Sequence, residues 1–160
     1  MGAAGALSLK GRALRALSQR EHSRVELARK LAPHAESAEH LDRVLDELQR
    51  GSFLSDLRFA QSLAYRRAER YGLRRIEREL GTHGLEDGLA QSVLGPLRDT
   101  ERDRAREVWR KRFGSLPTDA AERARQQRFL AQRGFAAETI FWVLRHGAAD
   151  PDTAADPPAG

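Results

Sequence analysis

The chain has no cysteine. That excludes disulfides and thiolate metal sites, and nothing else points to secretion. No stretch approaches the roughly 18 consecutive apolar residues of a membrane span. The opening MGAAGALSLKGRALRAL mixes small and basic residues and lacks the apolar block of a signal peptide. A cytoplasmic protein without membrane association is expected. Phosphate-binding glycine loops ending in Lys-Ser/Thr are also missing, as is a G-x-G-x-x-G after a strand. A nucleophile would have to be Ser, Thr or a carboxylate, and none has a recognisable local setting. His22, His34, His40, His83 and His146 form no H-E-x-x-H pair, and His34 and His40 are six apart, off one helical face. The chain is therefore expected not to be an enzyme and to hold neither metal nor cofactor. Aromatic residues are only 6% of the total, against 32% charged, so the core must be thin. Thin cores suit small groups of packed helices.

Positive charge is abundant. The formal net charge is +5, and the segment 147–160 carries Asp150, Asp152 and Asp156 without a base, which leaves the rest at +8. A basic body with a short acidic tail favours acidic partners, nucleic acid first. Of the 28 basic residues, 25 are arginine, whose planar fork grips carboxylate or phosphate in a bidentate fashion. They concentrate in three places. Arg66, Arg67, Arg70, Arg74, Arg75 and Arg78 face only Glu69 and Glu77, for +4. Arg102, Arg104, Arg106, Arg110, Lys111 and Arg112 face Asp103 and Glu107, also +4. Arg123, Arg125, Arg128 and Arg133 form the third concentration. The plain alternative is a solvated helix face in an arginine-biased chain. Trp109, Phe113, Phe129, Phe135, Phe141 and Trp142 fall on apolar stripes or cap positions, so most are expected in the core and base stacking gains no support. Phosphate contact would be of the sequence-tolerant kind.

The middle and last thirds of the chain repeat each other. RELGTHGLEDGLAQSVL (78–94) overlies RFLAQRGFAAETIFWVL (128–144) at an offset of 50. Gly84 and Gly134 are predicted to end helices in the left-handed conformation. Leu80 and Leu85, like Leu130 and Phe135, then supply the apolar contact of a Schellman cap. The first third joins through Leu31, His34 and Val44-Leu45, without the glycine. Ser23-x-x-Glu26 reads as a capping box, Leu41, Val44, Leu45 and Leu48 as one helical face, and Gly51 as its stop. Ser55 is expected to cap the next helix and Asp99 or Thr100 the helix ERDRAREVWRKRF, while Thr118 is expected to start the one after Pro117. No window alternates with period two. The expected fold is all-α, a tandem array of three three-helix repeats at 9–50, 55–97 and 100–146, elongated and curved, with 1–8 and 147–160 disordered.

REHSRVELARKL, FLSDLRFAQSLAYRRAERYGLRRIEREL, AREVWRKRFG and RFLAQRGF, in this order, resemble the RecX family of bacterial regulators of the RecA recombinase. The resemblance runs from about residue 9 to 146. It implies tandem three-helix repeats that bind the RecA–DNA filament, in its groove or at its end. There they restrain RecA's ATP hydrolysis, strand exchange and stimulation of repressor self-cleavage. Two departures stand out: Ser52 sits between Gly51 and Phe53, and Gln126 occupies a position that is often basic. The expected contacts to RecA or to DNA are Arg66, Arg67, Arg70, Arg74, Arg75 and Arg78, then Arg110, Lys111, Arg112, Arg128 and Arg133. A monomer is the simplest expectation. The rival reading is a stand-alone, sequence-tolerant DNA-binding protein with helix-turn-helix-like modules.

Overall fold

A computed structural model describes residues 5–149. All of its regular structure is helical: α1 (Leu9–Gln19), α2 (Arg24–Leu31), a 3₁₀ turn (Ala32–His34), α3 (Ala38–Arg50), α4 (Asp56–Ala68), α5 (Leu73–Gly81), α6 (Asp87–Arg112), α7 (Ala120–Gln132) and α8 (Ala137–His146). The disorder expected for the two ends lies, for residues 1–4 and 150–160, outside the described residues. Inside them the order reaches further than expected. Ser8 caps α1 by accepting from the Gly11 N–H, and Gly147 is packed so closely on Trp109 that a β-carbon there would stand 2.9 Å from the indole.

The chain forms two compact units. One comprises the residues up to Tyr65 with Glu79–Val93, the other Arg66–Arg78 with the residues from Leu94 on. In the first, Leu9, Ala13 and Ala16 of α1, Leu27 and Leu31 of α2, and Val44, Leu45 and Leu48 of α3 close one core with Leu54. The i, i+3, i+4, i+7 pattern read from α3 is the face that is buried, with Leu41 at its edge. Ser23 caps α2 as expected, accepting from the Glu26 N–H. The reciprocal half of the capping box is absent, because Arg20 takes the Glu26 carboxylate instead. A different open donor of this helix is met from a distance: the Asp56 carboxylate accepts the Arg24 N–H at 2.8 Å. Ser55 caps α4 through the Arg58 N–H.

His22 is buried beside this corner, and its Nδ1–H donates to the Arg20 carbonyl at 3.0 Å. Burial is the main reason its pKa is held below the ordinary histidine value, with the Arg20 and Lys30 charges acting in the same direction. The unfolded chain therefore takes up this proton at a higher pH than the folded one. Stability is complete above the ordinary histidine range, near pH 6.5, and falls as the pH drops through it. Urea unfolding followed by circular dichroism should show a lower midpoint at pH 5.5 than at pH 8. A His22→Gln variant should show a smaller difference between the two.

The α3 stop departs from the sequence expectation in a way its neighbours explain. Gly51 ends the helix with φ −79°, and the left-handed residue is Ser52, at φ 62°. The Phe53 N–H reaches the Leu48 carbonyl at 2.9 Å and the Ser52 N–H the Gln49 carbonyl at 3.0 Å, the two bonds of a Schellman cap. The glycine is thus one position early, and serine bears the left-handed strain. Ser52→Gly should raise stability by about 1 kcal/mol, measured by urea unfolding.

In the second unit Ala105, Val108 and Trp109 of α6 pack with Leu130 of α7, Phe135, and Ile140, Val143 and Leu144 of α8. Gly134 has the expected left-handed φ, 86°, and Gly84 likewise has φ 60°. Trp109 Nε1–H donates to Gln126 Oε1 at 2.8 Å, and Gln126 Nε2 reaches the Ser115 carbonyl and the Glu122 carboxylate, both at 3.1 Å. Gln126 is 1% exposed. A basic side chain at this position has donors only and could not accept the Trp109 N–H, so glutamine belongs to the core and is no missing contact. Asp119, not Thr118, caps α7 through the Glu122 N–H.

The expected cap at Asp99 or Thr100 is not formed. Residues 87–112 are one helix that runs through Pro96. Thr100 is interior to it, and its hydroxyl turns back to the Leu97 carbonyl. Proline inside a helix forfeits one backbone hydrogen bond, and here the helix continues past it. The aromatic expectations hold for Trp109 and Phe135, which are buried, and for Phe113, Phe129 and Trp142, which are half-buried against the same core. Phe141 departs: it is 52% exposed, with Arg145 stacked 4.3 Å from its ring centre.

Candidate partner-binding groove

Arg66 to Arg78 divide between the end of α4, a four-residue corner and the start of α5, all in the second unit. The corner is tied down by groups distant in sequence. Arg104 of α6 donates from Nη1 to the carbonyls of Ala68 (3.0 Å) and Tyr71 (2.9 Å), and from Nη2 to that of Leu97 (3.0 Å). Burial lowers its pKa from the ordinary arginine value, yet a guanidinium remains charged at any relevant pH. Glu101, also of α6 and 6% exposed, accepts the Leu73 N–H at 3.0 Å. Its other oxygen accepts the Thr139 hydroxyl at 2.6 Å. A carboxylate at a helix N-terminus satisfies a donor that the helix leaves open and complements its dipole.

The corner also lies directly on the turn between α7 and α8. The Gly72 N–H donates to the Arg133 carbonyl at 2.8 Å, and the Arg74 N–H to the Gly134 carbonyl at 3.1 Å. A β-carbon on Gly72 would stand 2.4 Å from the Gly134 carbonyl, and one on Gly134 would stand 2.5 Å from Cβ of Arg75. Only two glycines allow this approach.

Docking the corner there assembles an open groove of about 660 Å³. Arg70 and Arg75 enter it from the corner and α5, Lys111 and Arg112 from the last turn of α6, and Arg133 from the cap of α7. Glu69 is its one carboxylate, and Tyr71, Val108, Phe129 and Gln132 complete the lining. Three helix C-termini meet here, which electrostatically favours cations. The arginines are interleaved with rings. Arg75 lies 3.8 Å from the Tyr71 ring centre, Arg133 5.6 Å from Tyr71 and 5.1 Å from Phe129, and Arg112 5.8 Å from Phe129 and 5.6 Å from Phe113. Phe113 and Phe129 meet edge to face at 5.3 Å.

Of the eleven cations singled out in the sequence, the groove gathers Arg70, Arg75, Lys111, Arg112 and Arg133. The other six do not line it. Arg66, Arg74, Arg78 and Arg128 are exposed elsewhere, Arg67 is half-buried, and Arg110 pairs with Glu107 at 3.5 Å on the surface. Two arginines of the second basic run are spoken for by the fold: Arg104 clasps the corner and Arg106 is 8% exposed. Sequence reasoning missed Tyr71 and Phe129 as groove rings, and Glu101 as the anchor of α5. The alternation of Arg and aromatic residues across segments 60 residues apart offered no local signal for them. Among the described residues there is no cluster of metal-ligating side chains and no helix long and apolar enough to cross a membrane.

These features define an all-helical protein of three-helix units, with an open groove lined by cations and rings in its second unit. Residues 55–94 match the second three-helix domain of RecX and residues 99–144 the third. The regulatory protein RecX of Leptothrix cholodnii is 54% identical over 139 residues, which cover 87% of this chain and 88% of that one. That of Neisseria meningitidis serogroup C is 40% identical over 139 residues, covering 87% and 90%. The crystal structure of RecX from Lactobacillus salivarius shares the fold, with a TM-score of 0.74 at 17% identity, over 86% of this chain and 92% of that one. The chain belongs to the RecX family of regulatory proteins.

Proposed function

We propose that the protein regulates the RecA recombinase, mainly as an inhibitor, by binding the RecA–DNA filament as a cytoplasmic monomer. In this reading its three repeats, 9–50, 55–97 and 100–146, act together to restrain ATP hydrolysis, strand exchange and the coprotease activity in recombination, repair and the SOS response. Family membership supports a regulatory role. The observation that carries the contact is the convergence of five cations against a single carboxylate in the groove of the second unit. Cations grouped around rings at three helix ends are placed to meet an acidic surface, and regulation then follows from occupying a site that the filament needs for cycling.

The test is a comparison of affinities for RecA-coated and naked single-stranded DNA. Strong preference for the coated strand is expected. Tight binding to naked DNA, with a log–log salt slope near −0.9 per phosphate contact on a duplex, would replace this reading with a stand-alone DNA-binding protein.

A further inference from the structure

Building on the reading of the groove as the contact surface, we infer that its ligand is an acidic peptide segment carrying an apolar side chain between its carboxylates, and not a nucleic-acid strand. Three features point this way. First, the Tyr71 ring, which would stack a base, is already engaged by arginine: Arg75 stands 3.8 Å from its centre and Arg133 5.6 Å. Sequence-tolerant binding of single strands uses ring faces that are open to successive bases. A guanidinium over a ring, by contrast, keeps its in-plane N–H donors for a ligand, and those donors match a carboxylate in bidentate geometry.

Second, Glu69 stands in the same lining. An evenly charged phosphodiester must pass this carboxylate, whereas a peptide can set a neutral residue against it. Third, the lining includes Val108 and Phe129, so the site has an apolar patch among its cations. Apolar surface of this kind gains from burying a Leu or Phe side chain and gains nothing from a phosphate. The open groove, about 660 Å³, has room for a short segment.

The full chain would be titrated by fluorescence anisotropy with a labelled peptide of Asp and Glu interrupted by one Leu and one Phe. A matched peptide with Ser at those two positions and an oligo-dT of equal charge serve as comparisons. The Leu/Phe peptide should bind best, with the Ser peptide about fivefold weaker or worse and oligo-dT a poor competitor. Lys111→Glu with Arg112→Glu, both exposed at the end of α6, should weaken the peptide by about tenfold or more. A peptide with Lys in place of its acids should recover binding to that variant, which separates charge recognition from damage to the fold.

Equal binding of the acidic peptide to both proteins, or none to either, overturns the inference. So does oligo-dT binding that the variant loses, which makes the groove a nucleic-acid site. The functional reading is scored separately, by RecA ATP hydrolysis. A variant that loses the peptide yet still restrains RecA removes the groove from filament regulation while the peptide site stands.

Discussion

Gly134→Ala is expected to destabilise the second unit by about 3 kcal/mol. The left-handed conformation costs a β-carbon residue about 1 kcal/mol, and forcing a methyl into packed surroundings adds about 1–3 kcal/mol. The contact here is severe, because the new carbon would meet Cβ of Arg75 at 2.5 Å and its backbone nitrogen at 2.8 Å. Backbone cannot rotate aside, so the α7–α8 turn and the Tyr71-Gly72 corner must separate. Gly72→Ala should act comparably, since its β-carbon would meet Gly134 and Phe135 backbone at 2.4 Å. Against a typical total of about 5–15 kcal/mol these are large losses. Trp109 and Trp142 both lie in this unit, so their fluorescence during urea unfolding reads the effect directly. Gly88→Ala, in the first unit and followed by circular dichroism, is the control for replacing a glycine that has room around it. That glycine lies in α6 with open space around it, and alanine there should stabilise by up to about 1 kcal/mol. A Gly134→Ala midpoint equal to the wild type would mean that the corner does not sit on the turn as described.

The second large effect concerns binding. Reversing Arg70, Lys111 and Arg112 to Glu should weaken the proposed interaction with the RecA–DNA filament by about 100-fold or more, with helicity and melting temperature nearly unchanged. Charged contacts across an interface are worth about 1.5–7 kcal/mol for close pairs, and reversal adds repulsion to the loss. Arg70 and Lys111 enter into no ion pair among the described residues, and Arg112 contributes only ring contacts to the fold. The three lie in one groove although they come from segments 40 residues apart. Reversing Arg74 and Arg78, which lie in the same basic run but outside the groove, should have a much smaller effect. Equal losses from the two variants would mean that net charge, not the groove, governs binding.

The contrast between Arg74 and Arg70 shows how far the sequence could be read. Local features were legible because their physics is local. The left-handed Gly134 follows from Leu130 four residues before it and Phe135 just after, since a Schellman cap is completed within six residues; Gly84 shares the positive φ, though α5 ends earlier, at Gly81. The buried stripe of α3 follows from helical periodicity alone. Features that depend on distant partners were not legible. Asp56 capping α2 is separated from it by 32 residues, and Arg20 draws away the Glu26 carboxylate that the reciprocal capping box needs. Glu101 and Arg104 read as one more solvated pair in TERDRAR, and only the docked corner makes them anchors. The cap expected at Asp99 or Thr100 falls inside α6, which runs through Pro96 with Leu94 buried before it and Ala105 after it. The basic character of the site was visible as composition. Which five cations share a groove depends on Gly72 meeting Gly134, a contact between residues 62 apart.

The most direct test is RecA's single-strand-DNA-dependent ATP hydrolysis, measured with the cognate RecA while this protein is titrated in. Regulation of the filament predicts that hydrolysis falls, and that the groove-reversed variant leaves it unchanged at the same concentrations. Hydrolysis unaffected at every concentration of the wild-type protein, together with tight binding to naked DNA, would contradict it.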